Sequence, residues 1–218
     1  MKLLVRKIHK YLSFFISIQL LLWTISGIYF AFNKIELVRG EQYKKVVEQP
    51  INLSSINFNI PNSQSISIVR RLDKEIVIVS TKSSRKYLDK NGYPLDKLSE
   101  LEAIKSVESK TTLLPFQAIE ITSEKSGSEF RGRSLPIYKV KSKNAKNDDI
   151  NVYINIYSGE VVAIRSPQWR IWDLMWGFHI MDWKERDNIN NLLLKIFSIL
   201  ALISSVTGLI LFFKLDFK

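Results

Sequence analysis

Apolar residues gather at the two ends of the chain. Residues 11–33 hold no charged side chain, and residues 192–213 hold one, Lys195. Each run matches the ~20 apolar residues that a helix needs to cross the hydrocarbon of a bilayer. Transmembrane helices are therefore predicted over 11–33 and 190–213. Between them the chain is polar and rich in strand-forming residues. Strands are predicted at 66–71, 75–81, 85–90, 117–122, 136–141, 151–156 and 160–164, with 52–62 a linker or lead-in strand. Ile76-Val-Ile-Val79 is the kind of β-branched run that a sheet buries. One helix is predicted over 95–110, with Ser99 a candidate cap and Leu101, Ile104 and Val107 on one face. Asp89-Lys-Asn-Gly92 and Ser158-Gly159 read as tight turns, and 123–134 and 144–149 as polar loops. Tyr87-Leu88-Asp89 before Gly92 echoes Tyr153-Ile154-Asn155 before Gly159, the second copy longer by one residue. The fold class expected is α+β: an antiparallel sheet packed on one helix over 34–166, flanked by the two transmembrane helices.

Just before the second apolar run lies an aromatic stretch, residues 169–183. Helical spacing puts Trp172, Trp176, His179 and Trp183 on one face. The stretch is too short, and too polar at Arg170, Asp173 and Asp182, to span a bilayer. Since Trp rings favour the water–lipid boundary, an interfacial helix is expected over 167–186.

Charge orients this arrangement. The basic start, 1–10, with Lys2, Arg6, Lys7 and Lys10, should stay in the cytoplasm. The middle domain then lies outside, and 214–218 return to the cytoplasm. The uncharged run is longer than a signal-peptide core and no small-x-small site follows it, so an uncleaved anchor in the cytoplasmic (inner) membrane is expected. With no cysteine in the chain, disulfides, thiolate metal sites and cysteine-held iron–sulfur clusters are excluded. The net charge is +11, but much of the excess sits at the two ends. The middle is only moderately basic, which favours anionic head groups or small anions over nucleic acid. No nucleophile–base set or phosphate loop is seen. Asp148-Asp149 and Ser99-Glu100 read as turn and cap.

Several short motifs in order resemble the PepSY-domain proteins with PepSY-associated transmembrane helices. They are Arg6-Lys-Ile-His9-Lys-Tyr-Leu12, Trp23 with Ser26-Gly27, and Leu88-Asp-Lys-Asn-Gly92-Tyr-Pro-Leu95. They continue with Tyr153, Ser158-Gly159-Glu160-Val161, Arg170-Ile-Trp172, His179-Ile-Met-Asp182 and Thr207-Gly208-Leu209. The resemblance runs nearly end to end. It implies a periplasmic sheet domain and, from the family's larger members, histidine-bound b-type haem in an inner-membrane reductase for ferric-siderophore uptake. Those members have four or more such helices; this chain has two, and two histidines.

His9 lies beside Arg6, Lys7 and Lys10, and His179 near Arg165, Arg170 and Lys184. Imidazole for iron and cations for propionates suit haem at either place. Each histidine also has a plainer reading, His9 as one more interfacial basic residue and His179 as a packed aromatic. From His9 to Gly27 is about 27 Å of helix at 1.5 Å per residue, so the two histidines cannot share one iron within a chain. A homodimer about an axis along the membrane normal, or another membrane subunit, would supply the second ligands. Gly27 and Gly208 would leave room for a flat macrocycle, or serve helix packing in lipid. The rival to electron transfer is a non-catalytic, membrane-anchored interaction module or accessory subunit.

Overall fold

The computed structural model of the chain describes residues 2–46, 51 and 63–216. It divides into two compact units, Met1–Ile35 with Arg170–Lys218, and Glu36–Trp169. The predicted linker 52–62 lies outside the described residues, as do the last two residues of the chain.

The first unit is helical. α1 (Lys2–Phe32) runs unbroken from the basic start through the apolar stretch, and α5 (Leu192–Asp216) packs against it. Asn191 caps α5, accepting the Leu194 N–H at 2.8 Å. Both helices are long and apolar enough to cross a membrane, over Leu3–Phe32 and Leu192–Phe213. Only 17% and 6% of their apolar windows are buried, unlike the core helices of a water-soluble domain. Phe14, Ile18, Leu21 and Ile28 of α1, and Ile199, Leu202 and Leu209 of α5, face outward.

The second unit is α+β, as expected, but it has two antiparallel sheets where one was predicted. β1 (Ser65–Arg71), β2 (Lys74–Ser80) and β3 (Arg85–Leu88) form the first, in that order. β4 (Leu114–Ile121), β5 (Ile137–Lys143), β6 (Asp149–Asn155) and β7 (Val161–Arg165) form the second, also in chain order. Between them in the chain lies α3 (Glu100–Lys110), and the short α2 (Ile35–Val38) comes just after α1 in sequence. The predicted helix start at 95 is too early, because Ser99 accepts the Glu102 N–H while the Glu102 carboxylate accepts the Ser99 N–H. Ala103 and Val107, one turn apart, face the second sheet and join Leu98, Tyr138, Val140, Val152, Ile154 and Ile164 in its core. Leu101 is 71% exposed. Six residues of helix turn it well away from Val107, so of the predicted face Ile104 and Val107 pack on the core and Leu101 does not.

The suspected repeat is present as two matching turns. Asp89 Oδ1 accepts the N–H of Asn91 and Tyr93, and Asn155 Oδ1 accepts those of Tyr157 and Ser158. Asp89 N–H donates four residues on, to Tyr93 O, whereas Asn155 N–H donates five on, to Glu160 O, which is the extra residue of the second copy. Each turn closes on a glycine with positive φ, Gly92 and Gly159. The two turns also touch: Asn155 Nδ2 donates to Tyr87 Oη, and Tyr87 stacks on Tyr157 with ring centres 5.0 Å apart.

Candidate functional site

The chemistry-bearing side chains of the helical unit line one stripe of α1. His9, Ser13, Ile16, Gln19, Trp23, Ser26 and Phe30 recur every three or four residues, the repeat of one helix face. Ile16, Gln19 and Ser26 are buried, although the rest of the helix is largely exposed.

At the lower half of this stripe, His9 meets α5. Its Nδ1 lies 3.1 Å from Ser204 O and 3.1 Å from Thr207 Oγ1. A carbonyl only accepts, so Nδ1 carries the proton. Ser13 and Ser204 join hydroxyls at 2.7 Å just above. Gly208 is level with His9, as expected, but its free space is taken: a Cβ there would lie 3.1 Å from His9 Cε1. The glycine admits the imidazole itself rather than a macrocycle. Arg6, Lys7 and Lys10 flank His9 on α1 and are exposed.

At the upper half, α4 (Pro167–His179) brings residues 170–179 against α1. Trp172, Trp176 and His179 share a face, as predicted, and meet Phe30 at ring-centre distances of 5.2, 6.2 and 5.5 Å. Trp183 does not join them. The helix ends at His179, short of the predicted 186, because Asp182 gathers the N–H groups of Glu185, Asp187 and Asn188 into a turn. The carbonyls orphaned at that helix end find partners elsewhere. Gln19 Nε2 donates to Phe178 O at 3.1 Å, Trp23 Nε1 to His179 O at 2.7 Å, and Asn191 Nδ2 to Ile180 O at 2.8 Å. Buried Asp173 pairs with Arg186 at 2.7 Å and ties the turn back to α4.

His179 Nδ1 lies 2.7 Å from Ser26 Oγ. The Ser26 hydroxyl donates to Leu22 O at 2.8 Å, so it accepts from the imidazole, and again Nδ1 holds the proton. Burial pushes the His179 pKa below its usual value, which keeps the ring neutral. Neither histidine has a partner at Nε2 among the described residues. Both rings therefore leave Nε2 without a partner and are oriented from behind through Nδ1, which is how metal-binding histidines are held. Gly27 adjoins Ser26, and a Cβ there would meet nothing within 4 Å. Arg170 is half-buried on α4 and Lys184 is exposed. Arg165 belongs to the sheet unit, buried with its guanidinium 4.2 Å from the Trp169 ring centre.

No protein-family model, curated protein or solved structure matches this chain.

Ser26 is 17 residues from His9, or about 25 Å of helix, so one chain offers two separate single-histidine positions. Among the described residues no three His, Asp or Glu side chains gather as a metal site. The sheet unit contains neither of the two histidines. One of its grooves, about 960 Å³, is lined by charges of both signs, Arg71 and Lys74 against Asp73, Asp89 and Glu102. The sequence reading named both histidines, with Ser26 and Thr207 as motif residues, but missed Gln19, Asn191 and the part the hydroxyls play in holding the rings. A buried Gln at the helical spacing of His9 and Ser26 was the available signal.

Proposed function

We propose that this chain is a membrane-anchored, PepSY-like protein that binds b-type haem through His9 and His179 and carries electrons across the inner membrane. Both termini are placed in the cytoplasm and the sheet domain outside. The observation that carries the reading is the pair of Nε2 atoms left open by Nδ1–H bonds to Ser204 O and Ser26 Oγ. His9 and His179 would hold the haem, which would supply one-electron chemistry there when bound. The chain's own part is to hold each imidazole in a fixed orientation: Ser204 and Thr207 orient His9, while Ser26, Phe30 and Trp176 orient His179. Arg6 and Lys10 at one level, and Arg170 at the other, would offer positive charge to the propionates.

Since the two rings are about 25 Å apart along α1, each position needs a second imidazole. A second copy of this chain about a two-fold axis along the membrane normal provides both, and the exposed apolar faces of α1 and α5 leave surface for it. The resemblance to reductases of ferric-siderophore uptake makes a ferric complex the proposed electron acceptor. The segments 88–95 and 153–161, two of those on which the resemblance rests, fold as matching turns. Haem measured per chain in wild type, His9→Ala and His179→Ala tests the reading. Each substitution should remove about half of the haem, and haem content unchanged in both variants would overturn it.

A further inference from the structure

Side chains alternate between the faces of a strand, and residues paired across strands share a face. In the four-stranded sheet, Tyr138 and Val140 of β5 point into the core beneath α3. Lys139, Lys141 and Lys143 therefore stand on the opposite face. Register sets Lys141 beside Gln117 of β4 and Asn151 of β6, and Asn151 beside Arg165 of β7. One end of this face is covered by the loop between β4 and β5, whose Phe130 and Leu135 pack on Ile137, Tyr153 and Ala163. The same loop brings two more cations, Arg131 and Arg133. Arg131 and Arg165 have their guanidinium carbons 5.7 and 4.2 Å from the Trp169 ring centre.

Acidic residues on this face are engaged within it. Asp149 holds Lys143 at 2.9 Å, and Glu129 accepts from Asn151 Nδ2 at 2.6 Å and from Tyr153 Oη at 3.0 Å. Lys139, Lys141 and Arg133 make no side-chain hydrogen bond or ion pair with the described residues. The crowding is costly: burial first, then Arg133, pull the Arg165 guanidinium down to about 10. Positive charge gathered on one sheet face attracts anions to it. The face is a row of separate cations rather than an enclosed cavity, which matches a surface of repeated anionic groups.

We propose that this face, through Lys139, Lys141 and Arg133, binds the phosphate headgroups of anionic phospholipids. It rests on the membrane anchoring proposed above but not on haem.

The full-length chain has no cysteine, so Ser134→Cys gives one site for a fluorophore at the edge of the cluster. Quenching by headgroup spin-labelled lipid is then read in nanodiscs of neutral phosphatidylcholine, with and without phosphatidylglycerol. Quenching should rise with the phosphatidylglycerol fraction and fall as salt is added. In the Arg133→Gln, Lys139→Gln, Lys141→Gln triple variant the docked-to-free ratio should fall about fivefold per cation removed. Equal quenching in neutral and anionic discs would overturn the inference and leave the anchoring intact, whereas failure of the chain to enter discs would overturn both. Inorganic phosphate should compete no better than chloride at matched ionic strength. Specific competition by phosphate would make a soluble anion the ligand and overturn the lipid assignment.

Discussion

Two glycines at different heights of the helical unit give a controlled test of its packing. A Cβ at Gly208 would lie 3.1 Å from His9 Cε1 and 3.7 Å from Nε2, while one at Gly27 would meet nothing within 4 Å. The His9 ring cannot simply retreat, because Nδ1 is held by Ser204 O and Thr207 Oγ1, in the turn of α5 that precedes Gly208. Gly208→Val should therefore force α1 and α5 apart and break these bonds. Overpacking costs about 1–3 kcal/mol, and an interhelical hydrogen bond in a membrane adds roughly 0.6 kcal/mol, at most about 1.7. The sum is about 2–4 kcal/mol. Gly27→Ala adds no clash and removes a helix-interior glycine, which is worth up to about 1 kcal/mol in favour of the variant. Unfolding of the hairpin in SDS, followed by energy transfer between labels at Lys7→Cys and Lys214→Cys, reads the difference. Gly208→Val should separate at a much lower SDS fraction than Gly27→Ala. Equal midpoints for the two would refute the packing of His9 against Gly208.

Three further outcomes are expected. Burial lowers the His179 pKa, so below its usual value near 6.5 the unfolded chain takes up a proton that the folded one refuses, and stability falls as pH drops; His179→Gln should flatten that part of the melting-temperature profile between pH 7 and 5. Ser99→Ala removes the acceptor for Glu102 N–H and should cost about 1 kcal/mol in urea unfolding of the sheet unit; no change would deny the cap a role. A reporter fused after Lys218 should be cytoplasmic and one inserted within 123–134 outside; a cytoplasmic signal from the loop would reverse the topology.

The long apolar helices and most strands were legible because each depends on local pattern. So was the paired turn, since Asp89 and Asn155 act through backbone groups a few residues away. The split into two sheets was not, because which strands pair is decided by long-range contacts. On α3, Ile104 and Val107 face the core as the spacing predicts, while small Ala103 takes the inward place expected for larger Leu101, which points away. At the candidate site, residue type alone singled out His9 and His179. Their orientation depends on Ser204 and Ser26, which lie 195 and 153 residues away, and no spacing rule reaches that far. The end of α4 was hidden because Asp182 reads as an ordinary polar position until its backbone partners are known.

The central claim is that both imidazoles are set to bind iron through Nε2. Protein purified in detergent from haem-replete cells, scanned oxidised and then after dithionite, tests it most directly. The account predicts a Soret band that shifts on reduction with sharp α and β bands, the spectrum of low-spin haem held by two imidazoles, at one haem per chain. A featureless Soret region would contradict it and leave the chain a membrane-anchored interaction module.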